Sequence, residues 1–204
     1  MLQTPITPDS QTVLLQLPTS IALHVTPEQF TILAAANRDL RLERTSQGEL
    51  IVNPPTGWET GKQNFKIAGE LYLWWRNHGE VGEAFDSSAG FTLPNGAIRS
   101  PDASWITQDR WDALTPEEKI TFPKICPDFV VELRSKSDRL QDTQDKMREY
   151  LENGARLGWL IDPQQQRVEI YRQGREREIL ENPTQLSGED VLPGFVLILR
   201  RILK

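Results

Sequence analysis

Two short apolar segments of this chain each carry carboxylates, and together they restrict the folds that it can adopt. Residues 127–134 read Pro-Asp-Phe-Val-Val-Glu-Leu-Arg, and this valine-rich run predicts a buried strand. Residues 100–105 read Ser-Pro-Asp-Ala-Ser-Trp and predict a second strand. Because an unpaired buried carboxylate is costly to desolvate, Asp102 and Glu132 indicate carboxylates that are kept for a purpose. Binding of a divalent metal ion is the leading interpretation.

The alternation of side chains along a strand decides which of these groups can meet. Glu132 and Arg134 share one face of their strand, and Asp102 can meet Glu132 if the two strands are neighbours. Two carboxylates and a backbone carbonyl, such as that of Leu133, form an oxygen-rich site that suits Mg²⁺ or Mn²⁺. Asp128 lies about 13 Å from Glu132 along the strand, too far to share its metal ion. It is equally consistent with a turn residue at the start of the strand.

Hydrolysis of a phosphodiester also needs a positive group near the attacking water and the developing charge. Arg134 is one candidate, but arginine keeps its proton and is therefore a poor general base. Lys146 is the other candidate, on a helix predicted over about residues 138–153. It borders the buried stripe of that helix, so its ammonium is expected near Glu132. The alternative is a solvated lysine that pairs with Asp142 one turn earlier.

The remaining patterns predict a single α/β domain with a mixed central sheet flanked by helices. A capping box at Thr26 begins a helix that is expected to end at about Asn37, and a hairpin over residues 40–53 follows. Residues 61–78 predict an amphipathic helix, whose buried stripe comprises Phe65, Ala68, Leu71, Tyr72 and Trp75. The strand–helix–strand unit over residues 128–161 implies a parallel pair of strands.

Length, composition and net charge indicate the number of domains, the cellular compartment and the kind of partner that the protein can bind. The 204 residues suit one domain, which we place at residues 25–204 after an N-terminal arm at residues 1–24. Neither a transmembrane run nor a signal peptide is evident, and Cys126 is the only cysteine, so we expect a cytoplasmic protein without membrane contact. The net charge of -6 argues against nucleic-acid binding through bulk positive potential, but it allows an enzyme with a local basic groove.

The chain resembles the PD-(D/E)XK nuclease superfamily, and more specifically the Uma family of bacterial proteins assigned as restriction endonucleases. The resemblance covers about residues 25–200. Besides residues 100–105, it rests on three blocks, which are Cys-Pro-Asp-Phe-Val-Val-Glu-Leu-Arg-Ser at 126–135, Lys-Met-Arg-Glu-Tyr at 146–150 and Gly-Ala-Arg-Leu-Gly-Trp-Leu-Ile-Asp-Pro at 154–163.

The resemblance implies a restriction-endonuclease-like core and particular roles for site residues. The lysine position of the superfamily is occupied here by Arg134, which suggests that Lys146 has taken over that role. The superfamily often uses an acidic residue from its first core helix, for which Glu59 is the nearest match and Glu70 the next.

The leading hypothesis is a metal-dependent endonuclease that hydrolyses DNA. Asp102 and Glu132 would hold Mg²⁺ or Mn²⁺ with help from Leu133, and Lys146 would position or activate water. Arg134 and Ser135 would contact the substrate, with Glu59 and Asp128 as supporting acids. Because cleavage of a duplex needs two sites, a homodimer is compatible with this hypothesis, although no sequence feature specifies one.

Two alternatives stay open at this point. One is a catalytically silent nuclease fold that works in binding or assembly, and the other is a hydrolase of small phosphoesters.

Overall fold

The computed structural model describes residues 21–203, so residues 1–20 of the predicted N-terminal arm lie outside it. The α-helices of this part are α1 (Pro27–Ala36), α2 (Trp58–Asn77), α3 (Gln108–Asp112), α4 (Pro116–Lys119) and α5 (Leu140–Glu152), and a 3-10 turn spans Leu199–Arg201. The strands are β1 (Arg41–Arg44), β2 (Leu50–Asn53), β3 (Glu83–Asp86), β4 (Phe91–Thr92), β5 (Ile98–Arg99), β6 (Ala103–Ile106), β7 (Phe129–Leu133), β8 (Leu157–Asp162), β9 (Arg167–Arg172), β10 (Glu178–Glu181), β11 (Gln185–Ser187) and β12 (Val196–Ile198). No helix among residues 21–203 has the length and apolar character that crossing a bilayer requires.

A mixed sheet in the order β10-β9-β8-β7-β6-β3 forms the centre of the fold. Strands β7 and β8 are parallel, as their connection through α5 requires, and the other neighbours are antiparallel. Helix α2 covers one face of the sheet, where Ile67 and Leu71 join a core with Val131. Helix α5 covers the other, where Met147 packs in a core with Val130. The predicted α/β class with a mixed, helix-flanked sheet is confirmed.

A second sheet has the strand order β2-β1-β5-β4, and its strands come from the N-terminal half of the chain. The Pro94-Asn95-Gly96 turn joins β4 to β5, with Gly96 at φ +87°. After Arg99 the chain leaves the second sheet and enters β6 of the central sheet at Ala103. Pro101 has no N–H for a ladder and lies in the gap, so Asp102 stands at the junction of the two sheets.

Helix α2 turns only part of the predicted stripe to the core, where Leu71 is buried and Trp75 is partly buried. Its buried residues are Gln63, Ile67 and Leu71, whereas Phe65 and Tyr72 of the predicted stripe are 80% and 49% exposed. The prediction of Phe65 and Tyr72 as core residues is therefore wrong. Gln63 tolerates burial because its Nε2 donates to the carbonyl of Ile202 at 2.6 Å, which sequence periodicity cannot reveal.

Local signals at the ends of several elements are confirmed. Thr26 and Gln29 form the expected capping box of α1, and Thr115 and Glu118 form another on α4. Gly154 follows α5 with φ +111°, a left-handed conformation in which glycine carries no Cβ penalty.

Candidate active site

Asp102 and Glu132 face each other at the junction of β6 and β7. The two strands are antiparallel with Ala103 opposite Val131, and the N–H of Asp102 donates to the carbonyl of Val131 at 3.0 Å. This register places Asp102 directly opposite Glu132, and directly opposed residues have Cβ atoms about 4.5–5.5 Å apart. Both residues are buried, with 8% and 7% of their surface exposed.

The Asp102 carboxylate is held from three sides. Its Oδ2 accepts the backbone N–H of Leu133 at 2.8 Å, and its Oδ1 accepts the Nδ2 of Asn64 from α2 at 3.0 Å. Arg41 of β1 lies 3.6 Å from the same Oδ1. Burial nevertheless raises the pKa of the Asp102 carboxyl, because these groups only partly replace the lost hydration.

The Glu132 carboxylate points towards α5. Its Oε1 accepts the Tyr150 hydroxyl at 3.1 Å and lies 2.8 Å from the Nζ of Lys146. Burial is the largest influence on this group, the ammonium of Lys146 opposes it, and the charges of Asp102 and Glu43 add to it. The outcome is a pKa of Glu132 raised to about 7.

Lys146 reaches into this cluster from α5 instead of extending into solvent towards Asp142. Its Nζ lies 2.8 Å from both the Glu132 and the Glu43 carboxylates and 3.4 Å from the carbonyl of Ser100. Burial disfavours its charge, but the two carboxylates outweigh burial and raise the pKa of Lys146. The lysine is therefore a fixed ammonium group.

Glu43 is a member of the cluster that sequence reasoning missed. It is the one buried residue of β1, and besides Lys146 it binds the Nη1 of Arg99 at 3.2 Å and the N–H of Ser100 at 3.3 Å. Burial raises the pKa of Glu43, but Lys146 and Arg99 outweigh burial and lower it. The Nε of Arg99 donates to Glu149 on α5 at 2.6 Å, so the cluster ties the second sheet to the helix behind β7.

The two acids predicted as supporting residues lie elsewhere. Asp128 is buried at the start of β7, where its Oδ2 accepts the N–H of Thr107 and pairs with Arg110, both at 2.9 Å. It thereby holds the beginning of α3. Glu59 is in the first turn of α2, exposed, and pairs with Lys62 at 2.9 Å.

The predicted substrate-binding residues lie just beyond the end of β7. The Nη1 of Arg134 donates to the fully buried Asp162 at 2.8 Å, and its Nε donates to the carbonyl of Asp138 at 3.2 Å. The N–H of Ser135 donates to the Asp138 carboxylate at 2.7 Å, and its hydroxyl lies 2.9 Å from that of Ser137. Arg134 is thus committed to a structural ion pair, and Ser135 belongs to a bonded turn.

The chemistry of the cluster fits a divalent cation at Asp102 and Glu132. Four carboxylates face three cationic groups here, so one negative charge is unbalanced among Glu43, Asp102, Glu132, Glu149, Arg41, Arg99 and Lys146. In addition, the Oδ1 of Asn64, on the amide that binds Asp102, is buried without a hydrogen-bond partner. Within residues 21–203 no group of three or more His, Cys, Asp or Glu side chains is arranged to hold a metal ion. A cation here would therefore depend on the carboxylate pair with backbone, amide or water oxygens.

A mixed sheet that carries an Asp, a Glu and a Lys in one buried cluster defines the class of restriction-endonuclease-like proteins. Residues 27–200 match the Uma2 family, which is described as "Putative restriction endonuclease". The chain belongs to this family.

A solved structure supports the same fold. It is the crystal structure of "a putative nuclease belonging to DUF820" from Anabaena variabilis ATCC 29413, with a TM-score of 0.68 and 20% sequence identity. The match covers 79% of this chain and 89% of that chain, and at this identity it shows a shared fold. A search of curated proteins gave no match.

Proposed function

We propose that this protein is a metal-dependent endonuclease that hydrolyses DNA phosphodiester bonds. The observation that carries the proposal is the placement of Lys146 at 2.8 Å from Glu132, which itself lies opposite Asp102 on the neighbouring strand. Membership of a family described as restriction endonucleases supports the reaction class.

Each member of the cluster has a distinct task under this proposal. Asp102 and Glu132, with the carbonyl of Leu133, would hold Mg²⁺ or Mn²⁺. The ion would supply Lewis acidity and lower the pKa of a bound water. Lys146 keeps its proton between two carboxylates, so it acts as a positioned positive charge for the developing phosphorane and not as a base. Glu43 holds the ammonium of Lys146 in place and contributes a carboxylate from β1 to the cluster.

The turn between β7 and α5 supports a nucleic-acid substrate despite the net charge of -6. Lys136 and Arg139 are exposed on this turn, close to Ser135. At the beginning of α2, the hydrogen bond from Lys62 lowers the pKa of Glu59, and the charges of Lys66 and Lys136 lower it further, which adds Lys66 to the cations near this turn. A local group of cations can contact phosphates where the chain as a whole is acidic. Because cleavage of both strands needs two sites, we also propose a homodimer.

A second candidate is a nuclease-fold protein that binds without hydrolysing. It is favoured by one observation: Lys146 already pairs with both Glu43 and Glu132, so its positive charge is compensated within the protein. A hydrolase of small phosphoesters is less well supported. Two cavities of about 260 Å³ are lined by residues around Trp111 and around Trp74, away from Asp102 and Glu132.

Nicking of supercoiled plasmid separates these functions. The endonuclease should convert supercoiled to relaxed DNA with Mg²⁺ or Mn²⁺ and not with chelator. Glu132→Ala should lower the rate by about 100-fold or more. Glu152→Ala, an exposed acid at the end of the same α5, should leave the rate unchanged. DNA binding without nicking in either metal would support the binding protein instead.

A further inference from the structure

The outward face of α2 is apolar, which is unusual for a surface helix. Trp58, Phe65 and Tyr72 recur every seven residues along it and are 96%, 80% and 49% exposed, and Leu73 beside them is 50% exposed. Residues seven apart lie on the same side of a helix, and this side is opposite the buried Ile67. Within residues 21–203, Trp58 and Phe65 stay almost uncovered, and Tyr72 is half-covered beside Trp75.

Two glycines interrupt this face without a reason inside the chain. A Cβ on Gly69 would meet nothing within 4 Å, and one on Gly61 would meet only the hydroxyl of Thr56 at 3.7 Å. Glycine in a helix interior costs stability relative to alanine, so intrachain packing does not account for either residue. Glycine on an exposed helix face instead permits close approach of another backbone.

We propose that this face is the homodimer interface, with α2 packed antiparallel on α2 of a second copy. We place the twofold axis at the level of Ile67. Each residue then lies at the same level as a residue of the second copy, and the two residue numbers add up to 134. Phe65 then fills the notch at Gly69 of the partner subunit, since the two positions lie at the same level and only about 40° apart around the helix. A twofold contact requires a surface that complements itself in this way.

Charge complementarity selects the same register. Lys62 and Arg76 are the cations on this face. In the antiparallel pair, Lys62 lies opposite Tyr72 of the partner subunit and Arg76 lies opposite Trp58 of the partner subunit. Each exposed cation thus meets an aromatic ring, where cation–π attraction replaces like-charge contact. The opposed helix dipoles also favour this orientation.

Sedimentation equilibrium of the full chain between about 1 and 100 µM tests the interface, because weak specific association has micromolar dissociation constants. Wild type should dimerise. Gly69→Gln should weaken dimerisation at least tenfold while its melting temperature, measured in dilute solution, is unchanged or higher, since the site is empty in the single chain and glycine is a poor helix former. Lys62→Glu should also weaken it. Ile120→Gln, at a residue 84% exposed and distant from α2 in sequence, should not.

Wild type that stays monomeric at the highest concentration would overturn the proposal, as would a dimer that Gly69→Gln and Lys62→Glu leave intact. The interface does not depend on catalysis, so plasmid nicking is measured on the same samples. A dimer that does not nick plasmid would support the interface and contradict the proposed nuclease. A wild-type monomer that nicks plasmid would support the nuclease and contradict the interface.

Discussion

Lys146 and Glu132 form a buried ion pair with their charged atoms 2.8 Å apart, although they lie 14 positions apart in the sequence, on a helix and a strand. Helix α5 follows β7 directly and returns over the sheet, which brings its second turn above the strand end. The same ammonium pairs with Glu43 on β1. One side chain therefore links the two sheets at the place where the Asp102 and Glu132 carboxylates meet.

The first prediction concerns metal binding and stability. A cation held by Asp102 and Glu132 stabilises the folded state by mass action, so Mg²⁺ or Mn²⁺ at millimolar concentration should raise the melting temperature of wild type. Asp102→Asn and Glu132→Gln should abolish the rise, because each removes one of the two anionic ligands. Differential scanning calorimetry with and without metal measures this.

The behaviour of these variants in chelator is the control. Each substitution removes one of two facing carboxylates, so both variants should melt at or above the temperature of wild type. Wild type indifferent to metal would favour the binding protein, and variants that unfold in chelator would show that the acids are structural.

The second prediction concerns pH. The pKa of Glu132 is raised from 4.5 to about 7 in the folded protein, mainly by burial. Between these values the folded protein retains a proton that the unfolded chain has released, so the stabilising contribution is present below pH 4.5 and is lost as the pH rises towards 7. The raised pKa of Asp102 acts in the same direction from a lower starting value.

Denaturant unfolding in chelator at several pH values measures this effect. The free energy of unfolding of wild type relative to Glu132→Gln should fall by up to about 3 kcal/mol as the pH rises from 4.5 to 7.5. Saturating metal should reduce the fall, since it favours the ionised carboxylates. A pH-independent difference between the two proteins would contradict the assignment of the titrating group to Glu132.

The third prediction is that Lys146 contributes to stability as well as to catalysis. Lys146→Met leaves the Glu43 and Glu132 carboxylates without their shared cation, and breaking a buried pair costs about 3–5 kcal/mol. Combining it with Glu132→Gln removes one stranded charge, so the double variant should be more stable than Lys146→Met alone.

Denaturant unfolding of the four proteins at pH 7.5 completes this cycle. Lys136→Met, at an exposed lysine of the β7–α5 turn, should change the free energy of unfolding by less than about 0.5 kcal/mol. Equal losses in Lys136→Met and Lys146→Met would show that the ammonium of Lys146 is solvated in solution.

The sequence predicted the parts of this site that depend on local patterns, and it missed the parts that depend on tertiary packing. The strand around Glu132, the following helix and the parallel β8 are local or nearest-neighbour features, and their hydrophobic periods and caps predict them. The meeting of Asp102 and Glu132 then required only that the two apolar segments pair, which β6 and β7 do.

Glu43 and Asn64 could not be found in the same way. Strand β1 reads Arg-Leu-Glu-Arg, with charge on both of its faces, so alternation does not show which face is buried. Asn64 has no charge, and it reaches Asp102 only because α2 turns Ile67 and Leu71 towards the sheet. That choice of face is made by tertiary packing, and the rival stripe through Phe65 has the same period.

The last prediction separates a structural from a substrate-binding role for Arg134. Its guanidinium binds Asp162, which is fully buried and, among residues 21–203, otherwise accepts only the backbone N–H groups of Gln164 and Gln165. Arg134→Ala strands this carboxylate and should lower the free energy of unfolding by about 3 kcal/mol. Arg134→Ala combined with Asp162→Asn should recover part of the loss. If Arg134 contacts phosphate instead, Arg134→Ala should keep its stability but bind DNA less tightly. The slope of log affinity against log salt concentration should then fall by about 1. Lys136→Ala, at an exposed lysine, is expected to show this DNA-binding behaviour. Denaturant unfolding measures the stability of Arg134→Ala, and DNA titrations at several salt concentrations compare its binding with that of Lys136→Ala.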